Sequence, residues 1–330
     1  MSVAAETITH GIRANRAQFS HQLLQVLFVG LALGMMRTVV PALAESEFGV
    51  PRQSFLLLGA FVLAFGIVKS VLNLLAGVWS ERWGRQRVLT LGWLAAIPVP
   101  VLILFAQNWY WVVAATLLLG VNQGLAWSMT QTAKLDLAGR NQRGFAIGLN
   151  EFAGYVGVAI AGVATAYLAE RYGMRAGLFG FGLAVIVTAG ALSLCCVRDT
   201  RAWAQAEQRA IADQSTVDNE QRAPKTALKE VFARVTWRDP RLASVNQAGL
   251  VEKFVDVLVW VFFPALLFQR GLSLAQIGWV VSVYAFSWGG LQLFTGKLSD
   301  RIGRRRPIVW GMWLCAAGVA LAPLDGGVLW

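Results

Sequence analysis

Apolar runs, each near 20 residues long, recur from Leu23 to Pro323 and constrain this chain more than anything else in it. A helix of that length crosses the hydrocarbon core of a bilayer. Backbone facing lipid must satisfy its own hydrogen bonds, so each run reads as a helix. Nine are expected, at approximately 22–44, 54–79, 87–106, 109–133, 145–168, 174–197, 245–269, 275–296 and 307–323. The expected fold class is therefore an all-α membrane protein. Composition agrees: of 330 residues, 56% are hydrophobic and 14% charged, whereas soluble chains carry about a quarter charged residues. A secreted disulfide scaffold, a disordered chain and a soluble enzyme are excluded on that ground.

The net charge of +11 raises the question of a nucleic-acid partner, and the placement of the 29 Lys and Arg residues answers it. If the first 21 residues are cytoplasmic, the loops on their side of the membrane hold 22 of the 29. Arg52, Arg171, Arg175 and Arg270 fall on the other side, and Arg37, Lys69 and Lys253 fall within helices. Basic residues mark cytoplasmic loops, which places the N-terminus inside. The same distribution explains the charge without nucleic acid, while a basic face attracts anionic lipid head groups.

Residues 1–21 then form a cytoplasmic N-terminus with no removable signal peptide, and 22–197 a six-helix bundle. Residues 198–244 are a cytoplasmic central loop, and 245–330 hold three further helices. Within the central loop, Arg201–Asn219 reads as a charged, mobile tether and Thr226–Val235 as a short amphipathic helix on the membrane surface. The three Cys and two His have no metal-ligand spacing, so neither a metal nor a cofactor is expected.

Two cytoplasmic loops are nearly the same loop. Gly77-Val78-Trp79-Ser80-Glu81-Arg82-Trp83-Gly84-Arg85-Gln86-Arg87 and Gly296-Lys297-Leu298-Ser299-Asp300-Arg301-Ile302-Gly303-Arg304-Arg305-Arg306 share six identical positions and a carboxylate at a seventh. At the same offset Asn73 matches Gln292 and Gly92 matches Gly311, while Pro41-Ala42-Leu43 recurs as Pro264-Ala265-Leu266. Parallel duplication of a multi-helix unit is the architecture of a two-halved transporter.

On these residues the chain resembles the major facilitator superfamily, whose signature G-x-x-x-D-R-x-G-R-[RK] joins helices 2 to 3 and 8 to 9. The second copy is complete; the first has Glu81 for Asp and Gln86 for the basic residue. The resemblance implies two six-helix bundles, of which the second is incomplete, giving about nine transmembrane helices. It further implies a multi-pass permease of the bacterial inner membrane, similar to drug-efflux facilitators and truncated at its C-terminal end, that moves a small solute by alternating access. Proton-coupled efflux is one form of that activity. A facilitator-like sensor that transports nothing, or an inactive truncated product, is the alternative.

The repeated loops suggest a conformational latch built from Gly77, Glu81, Arg82, Gly84 and Arg85 in one copy and Gly296, Asp300, Arg301, Gly303 and Arg304 in the other. Gly77 and Gly296 permit close helix approach, and Gly84 and Gly303 a tight turn with positive φ. The carboxylates can bridge to the arginines and to the end of a neighbouring helix. Such contacts hold when the cavity opens outward and break when it opens inward. The plainer reading is that these arginines only anchor topology.

Charges inside a bilayer are costly and so mark function. Arg37, Lys69, Glu252 and Asp256 are the charged candidates for binding solute or protons, joined by Gln123, Trp127, Trp288 and Gln292 as cavity wall. The resemblance implies that Arg37 and Asp256 line the central cavity. Asp256 or Glu252 would exchange protons, or a Lys253 to Asp256 pair at i+3 would simply hold its helix. Trp127 and Trp288 fit packing as well as a cavity. Glu151 reads as paired with Arg143 or Lys134. The run from Ala153 to Gly162 is similar to the antiporter signature of drug-efflux facilitators, with Val158 in place of its proline. Neither a Ser/His pair nor paired intramembrane Asp residues are available for a membrane enzyme. The expected partners are a small-molecule solute, protons and membrane lipid; the sequence leaves the oligomeric state open.

Overall fold

The computed structural model describes residues 8–50, 55–214, 227–259, 263, 266–267, 270–272 and 274–321. Among them the structure is helical throughout, with no strand. The helices are α1 (Arg16–Phe48), α2 (Phe55–Trp83), α3 (Arg85–Ala96), α4 (Pro98–Leu104), α5 (Trp109–Asn122), α6 (Ser128–Ala138), α7 (Arg143–Tyr172), α8 (Met174–Cys195), α9 (Arg201–Gln214), α10 (Leu228–Ala233) and α11 (Pro240–Val257). They are followed by helices at Leu274–Ile302 and Arg305–Leu321. Six described stretches, all between Arg16 and Cys195, are long and apolar enough to cross a membrane. Two of them are each built from more than one helix. Pro98, which lacks an amide proton, separates α3 from α4. A π turn at Gln123–Trp127 joins α5 to α6.

The chain divides into two units, Met1–Ala206 with Ser282–Arg301, and Glu207–Val281 with Ile302–Trp330. In the first, small residues let helices meet backbone to backbone, the means by which helices associate in lipid. A Cβ on Gly30 would collide with the Gly154 carbonyl, and one on Gly157 with the Leu27 carbonyl, so α1 and α7 are in direct contact. Met35, Leu43, Trp93, Ile103, Leu119, Leu178 and Ile186 are fully buried around them. A buried polar tie crosses this core: Trp93 Nε1 donates to Gln25 Oε1 at 2.7 Å, and Gln25 Nε2 donates to the Ala189 carbonyl at 3.0 Å. Unpaired, these groups would each cost a desolvation penalty.

Within the Arg201–Asn219 stretch expected as a tether, Arg201–Gln214 is the helix α9, and 215–219 lie outside the described residues. Alanines at 202, 204, 206, 210 and 212 favour a helix. Its start is anchored as well: Trp203 Nε1 donates to the Thr9 carbonyl at 3.2 Å, and the Trp203 carbonyl meets His10 Nε2 at 3.1 Å. High charge marked a solvated face, and the apolar Trp203 decided the fold. In the second unit, α10 falls inside the expected amphipathic stretch and continues through a π turn at Arg234–Arg238. Asp239 then caps α11, accepting from the Arg241 and Leu242 amides at 3.0 and 3.3 Å.

Candidate functional site

The first repeated loop sits between α2 and α3. Gly84 takes φ +98, where a side chain is strained, and a Cβ there would strike the Asp199 carboxylate. The turn aims Arg85 back into the bundle, where it is only 4% exposed. Its Nε lies 3.1 Å from Asp136 Oδ2, and its Nη1 lies 2.8 Å from Glu81 Oε1 and 3.1 Å from the Ser80 carbonyl. Thr200 Oγ1 donates to the same Asp136 oxygen at 2.7 Å. Asp199 takes the Arg201 Nε at 3.0 Å, and Arg201 Nη1 reaches the Arg82 carbonyl at 3.2 Å. Every polar partner of this network lies in the first unit. Glu81 itself keeps a side chain 67% exposed, and Gly77 has nothing within 4 Å of where its Cβ would be.

The second copy behaves otherwise. Asp300 lies against the start of α7, where helical amides lack intrahelical partners. Its Oδ1 accepts from the Gly144 amide at 2.8 Å and its Oδ2 from the Phe145 amide at 3.0 Å. A carboxylate at a helix N-terminus is favoured by both hydrogen bonding and the helix dipole. Gly296 lets this happen, since a Cβ there would collide with the Gly144 carbonyl, and one on Gly148 would collide with the Gln292 carbonyl. Gly303 takes φ +81, and Arg301 and Arg304 are exposed.

Deeper in the first unit, Glu151 gathers three donors on one oxygen. Trp127 Nε1, Gln131 Nε2 and Asn150 Nδ2 reach its Oε1 at 3.1, 2.7 and 2.9 Å. Three N–H groups suit an acceptor-only carboxylate. The Lys69 ammonium lies 5.4 Å over the Trp127 ring, a cation–π distance. Trp127 and Trp288 both meet Tyr155, with ring centroids 6.4 and 5.7 Å away, and Tyr284 adds a further ring 5.7 Å from Trp288. Lys134 is wholly buried one turn from Gln131 and donates to the Gln22 carbonyl at 2.9 Å. The result is a cluster of the half-buried Lys69 ammonium, one carboxylate, two amides and aromatic faces, with Lys134 wholly buried nearby. It can orient a small polar solute with an anionic end.

A family model described as Major Facilitator Superfamily matches residues 23–250 and 247–329. The chain belongs to the major facilitator superfamily. Among relatives of this facilitator is a probable 4-methylmuconolactone transporter from Cupriavidus pinatubonensis, 30% identical over 304 residues, with 86% of this chain and 67% of that protein covered. A puromycin resistance protein from Streptomyces alboniger is 32% identical over 93 residues, which is 27% of this chain and 18% of that one. A solved proton:xylose symporter, bound to 6-bromo-6-deoxy-D-glucose, superposes with a TM-score of 0.62 at 16% identity, covering 88% of this chain and 71% of its own. That likeness shows a shared fold. The facilitator is accordingly a multi-pass membrane protein and a transporter rather than an enzyme.

The remaining candidates of this facilitator divide into those brought together and those set apart. Lys69, Trp127 and Trp288 meet around Tyr155 and Glu151. Gln123 is wholly buried and donates to the Val29 carbonyl at 3.0 Å, tying α1 to the π turn. Gln292 contributes its backbone to the close approach of α7. Glu252 and Asp256 stand in the second unit, with Lys253 Nζ 3.5 and 3.9 Å from their carboxylates. The side chains of Arg37, Pro41 and Ala42 and the whole Pro264-Ala265 dipeptide lie outside what the structure describes. Asp136, Asp199 and Thr200 escaped the sequence reading because each acts on a residue more than 50 positions away. Glu151, expected to pair with Arg143 or Lys134, takes hydrogen bonds from Trp127, Gln131 and Asn150.

Proposed function

We propose that this facilitator is a proton-coupled permease for a small organic acid, working by alternating access in the bacterial inner membrane with its N-terminus and both repeated loops on the cytoplasmic side. The observation that carries the reading is the Asp300 carboxylate on the first-turn amides of α7. A contact made of two hydrogen bonds and a helix dipole is strong enough to hold one helix on another and weak enough to break within a transport cycle. Glu81 and Arg85 form the matching part of the latch in the first copy.

The solute class follows from the cluster on α2, the π turn, α6, α7 and the helix Leu274–Ile302. The Lys69 ammonium, half-buried over the Trp127 ring, offers an anionic group on the solute a cation to meet. The aromatic faces of Trp127, Tyr155 and Trp288 suit a flat unsaturated ring. A related transporter described for 4-methylmuconolactone is consistent with such a cargo. Proton coupling is assigned to Asp256 or Glu252, whose neighbour Lys253 holds each of them near an ammonium.

Purified protein in proteoliposomes tests this with 4-methylmuconolactone as the probe. Accumulation driven by an imposed pH gradient, and its collapse in Asp256→Asn with Glu252→Gln, is the expected result. Binding without flux would instead make the chain a sensor, and flux indifferent to the pH gradient would remove the proton role.

A further inference from the structure

The segment that leads into α11 carries a surface that transport does not use. Leu228, Val231, Phe232 and Val235 recur at i, i+3, i+4 and i+7, the spacing of one helix face, and all four are exposed. Trp237, 62% exposed, meets Phe232 edge to face at 5.7 Å. Beside this face, Glu230, Arg234, Arg238, Asp239, Pro240 and Arg241 line a concavity of about 520 Å³. Three guanidinium groups thus surround one hollow. Of its two carboxylates, Asp239 is already engaged, by the α11 amides and by Arg234 Nε at 4.0 Å. The segment joins α11 through the single bend at Asp239, and α11 overlaps the apolar run expected at 245–269. On the span expected at 245–269, the hollow lies where polar chain meets hydrocarbon.

We propose that this hollow binds the phosphate of an anionic phospholipid from the cytoplasmic leaflet, while Leu228, Val231, Phe232 and Trp237 lie among its acyl chains. Arginine forks match phosphate oxygens bidentately, and aromatic side chains with an apolar body settle at the head-group level. A lipid satisfies both halves of the surface at once. A soluble anion would leave the exposed apolar face uncovered, and an apolar partner would strand the arginines. The proposal rests on the cytoplasmic placement of this loop and is independent of the solute assigned above.

The test is native mass spectrometry of the full chain released from nanodiscs of phosphatidylcholine mixed equally with phosphatidylglycerol. The wild type is expected to retain phosphatidylglycerol over phosphatidylcholine. Each of Arg234→Gln, Arg238→Gln and Arg241→Gln, measured singly because exposed side chains leave the fold intact, is expected to weaken that preference about fivefold. Arg209→Gln, on α9, is expected to leave it unchanged. An equal loss in Arg209→Gln would mean diffuse attraction to the basic face and would overturn the site. So would undiminished preference in the three variants, or displacement of the lipid by inorganic phosphate.

Discussion

The two repeated loops share six residues and do different work. In the first copy Arg85 turns inward, buried between Asp136 and the exposed Glu81, and the loop is bound to its own bundle through Asp136, Asp199 and Thr200. In the second the carboxylate turns outward, and Asp300 holds the start of α7 on a separate stretch of chain. Glycine shows the same contrast, since Gly296 is pressed against Gly144 while Gly77 faces open space. A sequence motif therefore specifies a turn and a set of charges, and the neighbour it meets determines what those charges bind.

Substitutions placed in pairs break or sharpen that contrast. The largest effect is expected from Arg85→Gln, which strands the Asp136 carboxylate; losing one partner of a buried pair costs about 3–5 kcal/mol. Its counterpart Arg304→Gln, at an exposed side chain, should stay within about 0.5 kcal/mol, both read by thermal unfolding in detergent. Asp300→Asn removes a charge and an acceptor from the α7 amides, a loss of about 1.5–3 kcal/mol. Because that contact joins separate elements, the loss should appear as greater accessibility of the cytoplasmic ends to a thiol reagent and a slower transport rate, with the melting temperature little changed.

Gly296→Leu should cost about 1–3 kcal/mol through overpacking and abolish transport, whereas Gly77→Leu, in open space, should do neither. Smallest of all, Glu81→Gln breaks an exposed i,i+4 pair and should cost about 0.3–0.5 kcal/mol. If Glu81→Gln impaired transport as severely as Asp300→Asn, the two copies would share one role and the contrast would fail.

Much of this architecture was legible because lipid imposes simple rules. Run length gave the six spans between Arg16 and Cys195, and the offset between Gly77 and Gly296 pointed to the duplication. The Lys253 to Asp256 spacing was equally readable, being local. Two kinds of feature were not. Arg85 with Asp136 is a pairing across 51 positions, and nothing in either segment names the other. The π turn at Gln123–Trp127 changes the helical phase. The sequence grouped Gln123 with Trp127 as cavity wall, but Gln123 turns to Val29 while Trp127, together with Gln131, converges on Glu151. The helix α9 was missed for a third reason: its charge outweighed Trp203 in any reading by composition.

Hydrogen exchange at the Gly144 and Phe145 amides tests the central claim most directly, comparing wild type with Asp300→Asn in membranes. Held by the carboxylate, these first-turn amides should be protected in the wild type and should exchange about ten- to a hundredfold faster in the variant. Equal exchange in the two proteins would mean that Asp300 does not hold α7, and the latch would have to be sought elsewhere.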